Sequence, residues 1–194
     1  IHIIMQPVGG LLDLETLLHE VGHAAFLSSV DPSLPIEYRR LYRSSSLDES
    51  FAFLFMGLAE NPIWLTKIVR MNKDKAETLS KLANTKRLCL IRRYIGKFLA
   101  EKEYFEKQDL KDSSFYCHFL EKATGFEHEP EGYLIDMETD FYSLDYVMGW
   151  SGAHILQKSL EAKFGEGWFI KREAGTFLRE IAFSGRKLSL DEAL

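Results

Sequence analysis

The residues of this chain with the most specific chemistry are His19, Glu20 and His23, which form an H-E-x-x-H pattern. Histidines four positions apart on a helix lie on the same face about one turn apart, so both imidazoles can bind one metal ion. Glu20 projects beside them, where its carboxylate can polarise a water bound to that metal. The pattern therefore predicts most of a zinc hydrolase site, which still needs a third protein ligand.

A catalytic zinc ion usually has three protein ligands and one position left for water. We expect Glu49 to be the third ligand, because it lies near the start of the next predicted helix, after a connection long enough to bring the two helices side by side. Glu60 is the alternative, although it lies near the C-terminal end of that helix, where the helix dipole disfavours a carboxylate. The predicted cofactor is Zn²⁺ held by His19, His23 and Glu49, although the same ligands accept manganese or cobalt.

Two other interpretations of the histidines are weaker. Glu20-x-x-His23 also occurs in di-iron four-helix bundles, but those proteins need a second E-x-x-H on another helix. None of the remaining histidines has a glutamate three positions before it. The other interpretation is that His19 and His23 are polar surface residues of an ordinary helix, because short motifs also arise by chance.

The two elements that must position these residues are predicted to be helices. The spacing of apolar residues predicts a helix over Asp13–Ser29, with Asp13 as its N-cap. A second helix is predicted over Leu47–Glu60, with Ser46 as its N-cap and Glu49 as the partner in a capping box.

The rest of the chain is also predicted to be mainly helical. Asn61-Pro62 is typical of a cap followed by a proline in the first turn of a helix. Glu127–Asp140 is acidic and is predicted to be a loop that could contain one turn, and the apolar segment Ile1–Met5 could form a short strand. Further helices are predicted over Lys75–Lys107, Leu110–Ala123, Tyr142–Phe164, Glu173–Phe183 and Leu190–Ala193.

The composition is that of an ordinary globular protein. The chain has 194 residues, of which 46% are hydrophobic and 27% charged, and we expect a single unit over residues 1–194. The net charge of −5 gives no reason to expect nucleic acid or an anionic membrane as a partner. The two cysteines favour free thiols in a reducing compartment, so we expect a cytoplasmic location. The oligomeric state is left open.

The metal pattern and its surroundings resemble the thimet oligopeptidase and oligoendopeptidase F family. Leu17–Ala24, with a glycine before the second histidine, is similar to the site helix of that family. Leu47–Ala52 is similar to the segment that bears its glutamate ligand, and Asp48-Glu49-Ser50 also resembles the related Taq-type metallocarboxypeptidases. The closing stretch Phe177–Glu192 is similar to the end of these peptidases.

Tyr142 and Tyr146 form a second candidate group. A phenol hydroxyl can donate a hydrogen bond to the oxyanion that forms when water attacks an amide, and a spacing of four places both on one helical face. Such a pair also occurs in simple core packing, and both interpretations stay open. The Tyr-x-x-x-Tyr-x-x-Gly pattern resembles the tyrosine segment of the same families, where tyrosines contact the substrate or the tetrahedral intermediate. Those families usually have a histidine several residues earlier, which His128 or Tyr133 would have to replace here.

The resemblance implies a mainly α-helical, zincin-type metallopeptidase catalytic domain. It also implies internal cleavage of oligopeptide substrates with Glu20 as general base, and carboxypeptidase action is the close alternative. Enzymes of these families are longer, so residues 1–194 would correspond to the C-terminal part of such an enzyme. The alternative from a different class is a non-catalytic helical module that binds zinc or a protein partner.

Overall fold

The computed structural model describes residues 2–41 and 44–194, and this part of the chain is mainly helical. It contains no strand, so the strand predicted over Ile1–Met5 is wrong for residues 2–5, and Ile1 itself lies outside the described residues. An extended segment needs a neighbouring strand to complete its backbone hydrogen bonds, and the described chain offers none. Across the same two ranges, no helix has both the length and the apolar character needed to cross a membrane.

The helices follow the predicted order, with bounds that differ by a few residues. In chain order they are α1 (Leu11–Ser29), a π-helical turn (Glu37–Leu41), α2 (Ser46–Met56) followed by a 3₁₀ turn (Gly57–Glu60), α3 (Pro62–Lys67), α4 (Lys73–Lys107), α5 (Ser114–Thr124), α6 (Tyr133–Asp136), a 3₁₀ turn (Thr139–Phe141), α7 (Tyr142–Phe164), a 3₁₀ turn (Trp168–Ile170), α8 (Arg172–Ala182) and α9 (Leu190–Ala193). Helix α5 begins later than predicted because the Asp112 carboxylate accepts a hydrogen bond from Ser114 N, which forms a turn before the helix.

The predicted N-cap of α1 is wrong. The helix begins at Leu11, after two glycines with φ of 99° and 85°. Glycine has no Cβ, so it adopts this left-handed region without strain. Asp13 therefore lies within the first turn, where its carboxylate accepts hydrogen bonds from Val8 N at 3.0 Å and Gly9 N at 2.7 Å. The charge still stabilises the helix N-terminus, but from inside the helix.

The predicted start of α2 is also wrong, whereas that of α3 is confirmed. Ser46 is the first residue of α2, and Ser45 is the N-cap residue, without a side-chain cap hydrogen bond. For α3, the Asn61 side chain accepts hydrogen bonds from Ile63 N at 2.9 Å and Trp64 N at 3.1 Å. Pro62 follows as the first helical residue, as the cap-then-proline pattern predicts.

The chain forms two compact units. The first comprises Ile1–Ala83 and Met148–Leu194, and the second comprises Asn84–Val147. In the first unit, the rings of Phe26 and Phe51 pack edge-on, with centroids 5.3 Å apart. The core of the second unit contains the buried side chains Ala100, Tyr104, Tyr116 and Leu120. The assignment of residues 1–194 to one catalytic domain stays a prediction.

Both cysteines, Cys89 and Cys117, are free thiols, as the sequence predicts. The cytoplasmic location inferred from them stays a prediction.

Candidate metal centre

Three of the predicted side chains come together in the first unit. His19 Nε2 lies 3.2 Å from His23 Nε2. The carboxylate of Glu49 faces both rings, with Oε2 at 3.6 Å from His19 Nε2 and Oε1 at 3.7 Å from His23 Nε2. Taking one ligand atom from each residue of this triad, the three atoms lie within 4.8 Å of one another. Side chains from two different helices, α1 and α2, thus converge on one point.

These spacings match what a zinc ion requires. Ligand atoms that lie 2.0–2.1 Å from a tetrahedral zinc ion are roughly 3.3–3.4 Å from each other. The three measured separations, 3.2, 3.6 and 3.7 Å, bracket that value. Two imidazoles and one carboxylate are also a donor set that zinc commonly has in catalytic sites. The residues present therefore fit a divalent metal ion of this kind.

Gly22 allows the two helices to approach closely enough for this arrangement. A Cβ atom at Gly22 would lie 2.5 Å from both Ala52 Cα and Phe51 O, which is far inside contact distance. The backbone of α1 therefore touches that of α2 between the two histidines. With any side chain at this position the helices would have to separate, and the distance from Glu49 to both rings would increase.

A second close contact holds Glu49 from another side. A Cβ atom at Gly149 of α7 would lie 2.6 Å from Glu49 Cβ, and Gly152 contacts Ser50 one turn later. Glu49 is 1% exposed, so its charge is removed from water and directed at the two histidines. The Glu49 carboxylate faces His19 and His23, and the N-cap residue of α2 is Ser45 in place of the predicted Ser46.

Glu60, the alternative third ligand, does not take part. It is buried in the 3₁₀ turn that follows α2, and the metal-type cluster found in the described residues contains Glu49. Residue 60 lies eleven positions after residue 49, so the two carboxylates are about three helical turns apart along α2 and the turn that follows it, and cannot both reach the same metal position.

Asp48 orients one of the histidines, a role that its sequence context did not reveal. Asp48 Oδ1 lies 2.7 Å from His23 Nδ1. When Nδ1–H donates to this carboxylate, the lone pair lies on Nε2, which is the atom that faces His19 and Glu49. The other oxygen of Asp48 accepts a hydrogen bond from Arg186 Nη2 at 3.0 Å. A buried carboxylate thus links His23 to a guanidinium near the end of the chain.

The segment that carries Arg186 is fixed to the region after α1. Arg186 N donates to Tyr38 O at 2.7 Å, and Asp31 N donates to Phe183 O at 3.1 Å. Gly185 has a φ of 57°, and a Cβ atom there would lie 2.6 Å from Tyr38 O. The sequence shows that Asp48 directly precedes the predicted ligand Glu49. No sequence pattern predicts its contact with Arg186, which lies 138 positions later.

The two histidines differ in their electrostatics. Burial and the nearby charge of His23 lower the pKa of His19 to about 4. Burial also disfavours the charged form of His23, but the hydrogen bond and charge of Asp48, together with Glu49 and Glu20, outweigh it and raise the pKa of His23. In the metal-free site His19 therefore offers its lone pair down to a lower pH than an ordinary histidine, whereas His23 holds a proton to a higher pH and must release it when a metal binds.

Glu20 lies on α1 between the two histidines in sequence and is half-buried. Its charge contributes to the raised pKa of His23, after the larger effects of Asp48 and Glu49. The glutamate of this motif is the candidate to accept a proton from a water molecule at the metal position.

The predicted tyrosines belong to the second unit. The rings of Tyr142 and Tyr146 pack edge-on with centroids 5.1 Å apart, and the ring of Tyr146 lies 4.7 Å from that of Tyr94. Their role as oxyanion donors stays a prediction. Of the two residues considered as replacements for the missing histidine, His128 contacts Thr124 Oγ1 at 3.0 Å, and the Tyr133 hydroxyl donates to Leu110 O.

Comparisons with protein-family models, with curated proteins and with solved structures give no match for this chain. The resemblance to oligopeptidases therefore stays a prediction based on the motifs.

Proposed function

We propose that this chain is a zinc-dependent hydrolase that cleaves peptide bonds in oligopeptides. The observation that carries the proposal is the convergence of His19, His23 and Glu49, whose ligand atoms lie within 4.8 Å of one another. Glu20 follows His19 on α1 and its charge acts on His23, which adds a candidate for the general base that a hydrolase needs and a structural zinc site does not. The choice of oligopeptides as substrates rests on the resemblance alone.

In the proposed reaction each of these residues would have a separate role. A zinc ion held by the triad would polarise the scissile carbonyl and lower the pKa of a water molecule bound beside it. Glu20 would accept a proton as water attacks the peptide carbon and would then donate it to the leaving amine. Asp48 would keep His23 Nε2 directed at the site. From the resemblance, Tyr142 or Tyr146 would donate a hydrogen bond to the oxyanion.

The test measures metal content and peptide hydrolysis in the same preparations. We expect about one zinc ion per chain by elemental analysis, a loss of that zinc in His19→Ala, and retention of it in the control His154→Ala, whose imidazole is exposed on α7. Hydrolysis is followed on a pool of internally quenched peptides by fluorescence and mass spectrometry. Glu20→Gln should keep its zinc and lose at least about a hundredfold in rate, since general base catalysis contributes that much. Glu173→Gln, an exposed residue on α8, is the matched control.

Other outcomes identify the alternatives. Zinc bound by the triad without any hydrolysis in the wild-type chain would favour a non-catalytic zinc-binding module. Release of single C-terminal residues from the peptides would favour a carboxypeptidase. Absence of metal after zinc is added back would overturn the proposal.

A further inference from the structure

The second unit contains a cavity of about 530 Å³ near the C-terminal end of α4. This volume is in the range of small-molecule sites. Three aromatic and three acidic residues are among those that line it: Tyr104, Phe105, Phe141, Glu101, Glu138 and Asp140. Within the described part of the chain, the lining contains no lysine, arginine or histidine. The cavity therefore combines apolar surface with an excess of negative charge.

Glu101 is the residue in this wall that indicates a ligand. It is 6% exposed, and its Oε1 accepts hydrogen bonds from Ser143 Oγ at 2.7 Å and from Glu138 N at 3.0 Å. Its other oxygen, Oε2, is buried and has no hydrogen-bond partner among the described residues. Buried carboxylate oxygens are normally satisfied, because leaving one without a donor is costly. A donor supplied by a ligand would complete the site.

The cationic side chains nearby are already engaged elsewhere. Lys97 is buried, and its Nζ lies 3.5 Å from Glu138 Oε1 and 3.7 Å from Asp136 Oδ1. Arg93 donates to the same Asp136 oxygen at 2.7 Å. Lys97 therefore offsets part of the negative charge of the three acidic residues in the wall, which keep an excess of negative charge. Burial raises the pKa of Glu101, although the hydrogen bonds from Ser143 and from Glu138 N, and the charge of Lys97, partly oppose this shift.

The arrangement favours an organic cation over a bare metal ion. Metal ligands must converge on one point, and among the described residues the cluster of this kind is the His19, His23 and Glu49 triad. An ammonium group needs only a hydrogen-bond acceptor and negative charge, and aromatic faces attract it further. The apolar rings beside the carboxylates would contact the body of such a ligand.

We propose that this cavity binds a small organic amine, whose primary ammonium group donates to Glu101 Oε2 and whose apolar body packs against Tyr104, Phe105 and Phe141. The proposal is independent of the proposed peptidase function, because it involves no residue of the metal centre.

The probe for this site is 2-phenylethylamine, which is protonated at pH 7, and its neutral analogue is 2-phenylethanol. Binding to the chain of 194 residues is measured by titration with ¹H–¹⁵N correlation spectra. We expect the amine to shift the amide signals of Glu101 and Phe141 saturably, and to bind at least about tenfold more tightly than the alcohol, as expected for one hydrogen bond to a charged group. Equal binding of the two compounds, or no saturable shift, would overturn the proposal.

Matched variants identify the carboxylate. Glu101→Gln preserves shape and should weaken amine binding about tenfold. Glu106→Gln removes an exposed carboxylate of the same helix, which pairs with Lys102 at 2.8 Å and does not line the cavity, and should leave binding unchanged. If Glu101→Gln does not fold, Asp140→Asn at the exposed rim replaces it and should weaken binding severalfold by reducing the negative charge. If a folded Glu101→Gln chain binds the amine as tightly as the wild type, Glu101 is not the carboxylate that binds the ammonium group. The same result in Asp140→Asn, where that variant replaces Glu101→Gln, would also contradict the proposal.

Discussion

Asp48 Oδ1 lies 2.7 Å from His23 Nδ1, and this contact determines which nitrogen of the ring is available at the candidate metal centre. Asp48 directly precedes Glu49 in α2. Asp48 thus orients the ring of His23, and Glu49 faces the same metal position as His23 Nε2. The contact suggests a direct test of the proposed site.

We predict that Asp48→Asn lowers zinc affinity 10- to 100-fold, the usual cost of removing a residue that orients a metal ligand. The amide can still contact Nδ1, but it lacks the charge that favours an N–H at that position. Affinity is measured by competition with a chromophoric chelator at fixed pH. Asp74→Asn, which removes an exposed charge from the first turn of α4, is the control. Equal zinc affinities for the two variants would mean that Asp48 does not support the metal site.

Arg186 should contribute mainly to stability. Its guanidinium hydrogen-bonds to the buried Asp48 carboxylate at 3.0 Å, and removing it leaves that charge poorly compensated. We predict that Arg186→Gln lowers the free energy of unfolding of the metal-free chain by about 2 kcal/mol, measured by urea denaturation. Zinc affinity should fall less than in Asp48→Asn, because Asp48 still contacts His23. The control is Arg179→Gln on the exposed face of α8, for which a change near zero is expected.

The histidines should titrate separately in the metal-free chain. We expect His19 to become protonated only near pH 4, because burial and the charge of His23 lower its pKa. The pKa of His23 should lie above the ordinary histidine value of 6.5. The measurement follows the ring Cε1–H signals by NMR as a function of pH. In His23→Ala the pKa of His19 should rise part of the way to 6.5, since the charge of His23 is one of its causes. A single shared midpoint near 6.5 would contradict this description.

The two shifts have opposite effects on stability. Between about pH 4 and 6.5 the unfolded chain binds more protons at His19 than the folded chain does, so stability rises with pH in that window. Above 6.5 the folded chain retains the proton of His23 longer than the unfolded chain, so stability from this residue falls as pH rises through its folded pKa. The contribution of the pair should therefore be greatest near pH 6.5. Urea denaturation of the metal-free chain across these pH values, with His19→Ala for comparison, measures it.

Local patterns predicted the helices well, and helix geometry explains why. The spacing of His19 and His23 requires only one helix, and α1 covers both residues as predicted. Glu49 can reach the histidines only if α2 packs beside α1. The connection between the two helices is long enough for this packing, but its length alone does not predict it. Gly22 and Gly149 determine how closely the helices approach, and a glycine in a sequence does not reveal what its missing Cβ would touch.

Residues that act over long sequence separations could not be found from the sequence. Arg186 reaches Asp48 across 138 positions, and no local pattern records that pairing. The cavity around Glu101 was also missed, because its residues come from the end of α4 and from the segment before α7. The N-caps failed for a different reason. Asp13 and Ser46 are good capping residues, but α1 begins at Leu11 after two glycines and α2 begins at Ser46 itself, so both residues lie in the first turn of their helices.

The contact at Gly22 gives the sharpest test of the helix arrangement. We predict that Gly22→Ala lowers the free energy of unfolding by about 3 kcal/mol, because the new methyl group would lie 2.5 Å from the backbone of α2 and the helices must separate. Zinc binding should weaken in parallel, since Glu49 moves with α2. Gly175→Ala is the matched control: Gly175 is exposed in α8, and a Cβ atom there would have no neighbour within 4 Å among the described residues, so alanine should stabilise the chain by about 1 kcal/mol. Urea denaturation and zinc titration of both variants measure these effects, and a Gly22→Ala chain as stable as Gly175→Ala would show that α1 and α2 do not touch there.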